Sequence, residues 1–162
     1  MSKNVIPNIL DKKYTLGILE ELSQNQVYKG GDSIGSYLIV TNNKTVLKEF
    51  ENTLEVEGNF MDVLEKTREL VYLGHKIVSY PLAASIRMMY SPVRSILVSS
   101  VSDETVDSKS IEIIDSSIEK YRITMGKRNV DARNKDDYEI IDYDLIISAI
   151  SENDFMKKLK KL

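Results

Sequence analysis

The sequence contains no cysteine and no tryptophan, and it has a single histidine among 162 residues. Without cysteine the chain forms no disulfide, no thiolate metal site, no iron–sulfur cluster and no cysteine nucleophile. It has no run of 18 or so apolar residues, so the sequence predicts no membrane-spanning helix. Residues 1–10 lack the apolar stretch of a signal peptide. We therefore expect a cytoplasmic protein.

An excess of positive charge is also lacking, because 22 lysines and arginines face 25 acidic residues, for a net charge of −3. Four of the lysines lie among the last six residues, so the rest of the chain is more acidic still. Binding a phosphate backbone needs a clustered positive field, and we do not expect a nucleic-acid-binding protein. A weaker alternative is DNA binding through the four cations Lys127, Arg128, Arg133 and Arg122.

What the chain does contain is the composition of one globular domain, with 42% hydrophobic and 29% charged residues. Short β-branched runs predict four strands, which are Tyr37–Thr41, Thr53–Glu57, Lys76–Tyr80 and Arg94–Ser100. Helical periodicity predicts helices over 11–24, 44–51, 60–73, 107–124 and 142–161. Strands that alternate with helices predict a parallel sheet. We expect an α/β fold, a small three-layer sandwich with an about four-stranded, mostly parallel sheet, Rossmann- or flavodoxin-like, with appended N- and C-terminal helices.

The chain reads as a single domain, residues 1–162, with four parts. These are a helical extension (1–35), a sheet core (36–125), an exposed loop (126–137) and a C-terminal helical segment (138–162). The last segment is amphipathic, with Phe155 and Leu159 among lysines. We expect it to pack on the domain or on a second subunit of a homodimer rather than on a membrane.

A ligand site is expected where the predicted strands end, because open parallel sheets bind ligands outside the carboxyl ends of their strands. Hydroxyl and amide groups follow these strands, and Arg87 adds a cation. The candidate ligand-binding residues are Thr41, Asn42, Asn43, Ser85, Arg87 and Ser99. Such a set suits a small anion, a phosphate or carboxylate. In the alternative interpretation, Asn42 and Asn43 cap the next helix and residues 81–92 form a linking loop.

The sequence indicates no reaction. His75 precedes the third predicted strand and follows a helix, so we expect it at the opposite edge of the sheet, in a structural role. Acidic residues occur as adjacent pairs, which do not converge on one metal ion, and no Gly-x-Ser-x-Gly elbow is present. We therefore expect no metal and no cofactor, leave the catalytic residues unknown, and favour a protein that is not an enzyme.

Four short segments, taken in order, resemble the GrdX family, small proteins encoded beside the glycine, sarcosine and betaine reductase genes of anaerobic amino-acid-fermenting bacteria. The segments are Ile39-Val40-Thr41-Asn42-Asn43, Gly74-His75-Lys76, Pro81-Leu82-Ala83-Ala84-Ser85-Ile86 and Pro92-Val93-Arg94-Ser95-Ile96-Leu97. The likeness covers roughly residues 37–150. This chain departs from the family pattern at several points of one loop. Tyr80 replaces the histidine before Pro-Leu, Ala83-Ala84 replaces Ser-Gly, and Arg87-Met88-Met89 replaces a polar stretch.

The resemblance implies an accessory protein of reductase metabolism, with a protein of the reductase complex as its partner and no established reaction. A small-anion-binding protein or enzyme is the alternative. If the family histidine is catalytic, Tyr80 removes or changes that activity. The apolar cluster Met88-Met89-Tyr90 either packs beneath its loop or forms a contact surface for a partner.

Overall fold

A computed structural model describes residues 37–161, and this part of the chain forms a three-stranded mixed sheet. The strands are β1 (Tyr37–Thr41), β2 (Thr53–Glu55) and β3 (Ser95–Ser99), in the order β2-β1-β3. Strand β1 pairs in parallel with β2 and antiparallel with β3. The predicted helix over 11–24 lies outside the described residues.

The prediction of an about four-stranded, mostly parallel, Rossmann- or flavodoxin-like sheet is therefore wrong. The segment predicted as the third strand forms one isolated bridge, between Ile77 and Val98. Beyond it, the backbone N–H groups of Val78 and Ser79 both donate to the carbonyl of Leu97. A ladder cannot continue through two donors that share one acceptor, and Pro81 follows directly with no donor of its own.

The segment between Pro81 and β3 explains why β3 runs antiparallel to β1. A parallel connection requires a crossover of a dozen or more residues, usually an α-helix. Between Pro81 and β3 the chain forms only a five-residue 3₁₀ helix, Ile86–Tyr90. The chain turns back there without a crossover, and β3 returns antiparallel to β1.

Four α-helices complete the described residues, with a second 3₁₀ helix at Ala132–Asn134. They are α1 (Lys44–Glu49), α2 (Phe60–Tyr72), α3 (Ser108–Met125) and α4 (Lys135–Leu159). Helix α4 begins well before the predicted residue 142 and continues without a break through the polar segment Ser151–Asp154. Two aspartates in its first turn favour this start, because carboxylates stabilise a helix N-terminus.

Helices lie on both faces of the sheet. On one face, Ile39 and Leu97 form a buried cluster with Val46 of α1 and Ile146 of α4. Neighbouring strand residues point to the opposite face. Helix α2 contacts β1 and β3 and packs along α3, where the ring centroids of Phe60 and Tyr121 lie 4.8 Å apart. None of the helices within residues 37–161 is long and apolar enough to cross a membrane.

Candidate functional site

The carboxyl end of β1 carries a chain of buried hydroxyl groups. Thr41 lies opposite Ser95 of β3 in the sheet register, and their Oγ atoms are 2.7 Å apart. The Oγ of Ser95 donates to a carboxylate oxygen of Asp142 at 2.6 Å, so Thr41 is the donor to Ser95. Thr41 in turn accepts from the backbone N–H of Asn43 at 3.0 Å. The end of β1 is thereby fixed to β3 through side chains as well as through the ladder.

Asp142 is the centre of this arrangement. It lies on α4 and is 1% exposed. Its Oδ1 accepts the backbone N–H of Ser95 at 2.9 Å, and its Oδ2 accepts from the Ser95 hydroxyl and from Nδ2 of Asn43. Asn43 also caps α1, because its Oδ1 accepts from the backbone N–H of Thr45. One carboxylate therefore joins α4 to β3 and to the start of α1.

Arg94 supplies the buried positive charge. Its Nη1 lies 3.9 Å from Oδ1 of Asp142, and its guanidinium carbon lies 5.8 Å from the centre of the Phe60 ring. Its Nε and Nη2 donate to the carbonyls of Pro81 and Tyr80, at 2.8 and 2.9 Å. Burial lowers the pKa of Arg94 from its ordinary value, and the Asp142 carboxylate opposes that shift. An arginine nevertheless keeps its charge in proteins, so the pair is ionic.

Asn42 links the same region to two further loops. Its Nδ2 donates to the carbonyls of Gly58 and Pro92, both at 2.9 Å, and its Oδ1 accepts the backbone N–H of Arg94 at 2.8 Å. We call the six side chains Thr41, Asn42, Asn43, Arg94, Ser95 and Asp142 the Asp142 network. Both amide hydrogens of each asparagine are used within the protein. The network is built to hold backbone segments together rather than to present donors to solvent.

The family model described as GrdX-like protein matches residues 38–151 of this chain. The chain belongs to the GrdX-like family. Neither the curated proteins nor the solved structures contain a match to it. The matched range includes the whole Asp142 network, so this network lies in the part of the chain that defines it as GrdX-like.

The structure brings together three of the six predicted site residues of this GrdX-like chain and separates the others. Thr41, Asn42 and Asn43 meet in the Asp142 network. Ser99 lies opposite Tyr37, at the other end of β1, because β3 runs antiparallel. Ser85 directly precedes the 3₁₀ helix that starts at Ile86, and Arg87 lies within that helix. Both side chains are exposed. An anion site that uses all six residues stays a prediction.

His75 follows α2 and is buried, with its Nδ1 2.6 Å from the carbonyl oxygen of Ser99. Lys76 forms an ion pair with Asp103, 2.6 Å between Nζ and Oδ2, and Gly74 holds a positive φ of 102° against the Asp103 backbone. The Gly-His-Lys segment of the family pattern therefore fastens the end of α2 to the chain after β3. It lies at the opposite end of β3 from Arg94.

A shallow groove of about 300 Å³ lies beside this segment, between residues 76–80 and the start of α3. The hydroxyl of Ser110 accepts the backbone N–H of Ile77 at 3.0 Å and donates to Asp107. The hydrogen bonds that Asp107 accepts from the hydroxyl and from the backbone N–H of Ser110 lower its pKa from the ordinary value. The polar groups here connect the edge segment to α3. Residues 37–161 contain no cluster of three or more acidic or histidine side chains suited to a metal ion.

The sequence interpretation missed Arg94, Ser95 and Asp142 as members of the GrdX-like network. One signal was present for Asp142. Tyr138, Asp142 and Ile146 recur every four residues and are the buried residues of α4. An acidic residue on an otherwise apolar helical stripe indicates a buried carboxylate with a partner.

Proposed function

We propose that this GrdX-like protein is a non-catalytic accessory protein of anaerobic glycine, sarcosine and betaine reduction, which acts by binding a protein of the reductase system. The family assignment supports this context. The observation that carries the proposal is the Asp142 network, in which the motif side chains bond to one another and to backbone groups. Side chains that serve the fold in this way favour a binding role over catalysis.

The proposed contact surface is the loop from Tyr80 to Arg87. Tyr80 is 57% exposed and Ile86 is 71% exposed, and Arg87 next to them is exposed as well. An aromatic, an aliphatic and an arginine side chain are a typical combination for the centre of a protein–protein interface. In the neighbouring Met88-Met89-Tyr90 cluster, Met89 is buried, whereas Met88 and Tyr90 are partly exposed, so Met89 is not part of the proposed surface.

Binding to purified reductase components tests this proposal. We expect one protein component of glycine reductase to bind the chain in calorimetry under anoxic conditions. Tyr80→Ala and Ile86→Asp should each weaken that binding by about tenfold or more, the range of an interface hot spot.

Val101→Asp is the matched control, because Val101 is an exposed aliphatic residue that follows the opposite end of β3. It should bind like the unaltered chain. If no component binds, or if the loop variants bind as tightly as Val101→Asp, the proposal is wrong.

A further inference from the structure

Helix α4 presents a second apolar stripe, which is exposed in the part of the chain that the structure describes. Ile141, Leu145, Phe155 and Leu159 are all exposed, and Phe155 is 59% exposed. With Ser148 and Glu152 between them, these positions are separated by alternating steps of four and three residues. This is the heptad spacing of a coiled-coil seam, in which such residues line one side of a helix.

The stripe differs from the one that packs on the sheet. Tyr138, Asp142 and Ile146 are buried against the domain, and the last two come one residue after Ile141 and Leu145 of the seam. At 3.6 residues per turn, adjacent residues are about 100° apart around the helix. The seam therefore lies beside the buried stripe, about a quarter turn around the helix.

Charge is distributed unequally along α4. The first part carries exposed Asp136, Asp137 and Asp144, whereas residues 136–156 contain no lysine or arginine. The end of the helix and the residues after it are basic, with exposed Lys158, Lys160 and Lys161. Two such helices side by side in the same direction place like charges together. In opposite directions, each acidic part lies against a basic end.

We propose that two copies of this chain associate through their α4 helices, paired antiparallel along this seam. A twofold axis between Ser148 and Glu152 places Leu145 against Phe155 of the second copy, and Ile141 against Leu159 of the second copy. The paired stretch is about 27 Å long at 1.5 Å per residue. A twofold interface must be self-complementary, and the charge distribution of α4 is self-complementary only in this direction.

Two flanking charges fit the same register. Asp144 comes one residue before Leu145, and Lys158 comes one residue before Leu159, so both take the same position beside the seam. In an antiparallel pair these positions face one another across the interface, which sets Asp144 against Lys158 of the second copy. The polar Ser148 and Glu152 at the centre lower the affinity but fix the register. The dimer is therefore concentration-dependent.

Sedimentation velocity over a range of concentrations tests the association. The unaltered chain should convert from monomer to dimer as its concentration rises. Leu145→Asp and Phe155→Asp should each raise the dissociation constant roughly tenfold or more, because each places a charge in the apolar seam. Ile140→Asp is the matched control and should dimerise normally, since Ile140 is on the same helix, is 61% exposed and lies off the seam.

Urea unfolding of each variant at low concentration verifies that it is folded. A chain that stays monomeric at every concentration overturns the proposal. So does a dimer that all three aspartate variants weaken equally, or that none weakens.

Cross-linking tests the direction, and the absence of cysteine gives a clean background. A mixture of Leu145→Cys and Phe155→Cys chains should form a disulfide-linked dimer on mild oxidation. Neither variant alone should do so, because identical positions lie about 15 Å apart along an antiparallel pair, beyond the reach of a disulfide. Efficient cross-linking of Leu145→Cys to itself would show a parallel pair and overturn the proposal.

A charge exchange tests the register. Asp144→Lys and Lys158→Asp should each weaken the dimer, and the chain that carries both substitutions should recover it. Recovery requires that these two residues meet across the interface, so a double variant as weak as the single ones contradicts the proposed register.

Discussion

At the scale of single residues, Asp142 has the largest effect that we expect on the stability of this protein. A buried charge is costly unless it is paired and hydrogen-bonded. Asp142 meets both conditions, since it accepts three hydrogen bonds and lies beside Arg94. Its removal leaves a buried guanidinium without its carboxylate and leaves Ser95 with two unpaired donors.

Asp142→Ala should lower the free energy of unfolding by about 3–5 kcal/mol, the usual effect of removing one partner of a buried ion pair. Urea unfolding followed by circular dichroism measures this change. Asp144→Ala, an exposed aspartate on the same helix, should change it by less than about 0.5 kcal/mol when the chain is dilute enough to be monomeric. A loss below about 1 kcal/mol for Asp142→Ala would show that the buried pair does not hold the network together.

The sequence predicted part of this network. Thr41, Asn42 and Asn43 were identified because polar residues stood directly after a buried strand. The helix-capping interpretation of Asn43 is confirmed by its bond to Thr45. Asp142 and Arg94 could not be identified as partners, because their contact joins positions 48 residues apart and depends on how α4 lies across the sheet.

At the scale of elements, two of the described α-helices begin with an asparagine whose side chain accepts a capping hydrogen bond, and the two caps differ in what else they bind. Asn59 forms a capping box with Asp62 at the exposed start of α2. Asn43 caps α1 and also donates to Asp142 within the buried network. The second cap therefore connects a helix to the sheet, whereas the first serves its own helix.

Asn59→Ala should lower the free energy of unfolding by about 1 kcal/mol, as for an ordinary N-cap. Asn43→Ala should lower it by about 2–4 kcal/mol, because it also removes a hydrogen bond to a buried carboxylate. Thermal and urea unfolding compare the two. Equal losses would mean that Asn43 acts as a cap alone.

Some of the strands and helices were predicted correctly from the sequence, and others were not. Strands β1 and β2 and helix α2 lie where short β-branched runs and an amphipathic pattern placed them. The segment over residues 76–80 has the composition of a strand, but its donors at Ile77 and Ser79 are used outside a regular ladder. Strand direction depends on the connecting loop, and composition does not reveal whether such a loop crosses over or turns back.

At the scale of the whole molecule, α4 is an integral part of the core. It contributes Ile146 to the cluster with Ile39 and Leu97, and it contributes Asp142 to the network at the end of β1. After Ser151, by contrast, the described residues include none that is fully buried. The family match also ends at residue 151.

Two shortened chains should therefore behave differently. At a concentration where the full chain is monomeric, a chain that ends at Ser151 should melt cooperatively within about 4 °C of it, which corresponds to a loss of roughly 1 kcal/mol for this size. A chain that ends at Asn134 lacks α4 and should show no cooperative transition. Differential scanning calorimetry distinguishes them, and cooperative melting of the shorter chain would contradict the role of α4 in the core.

Arg94 holds the loop after residue 79 by the backbone carbonyls of Tyr80 and Pro81, and not by their side chains. Every amino acid has the same carbonyl group, so residue 80 can be replaced without loss of this anchor. In this chain residue 80 is a tyrosine whose side chain is 57% exposed, and its carbonyl group accepts from Arg94. Substitutions at residue 80 can therefore change the surface that this loop presents while the framework beneath it stays the same.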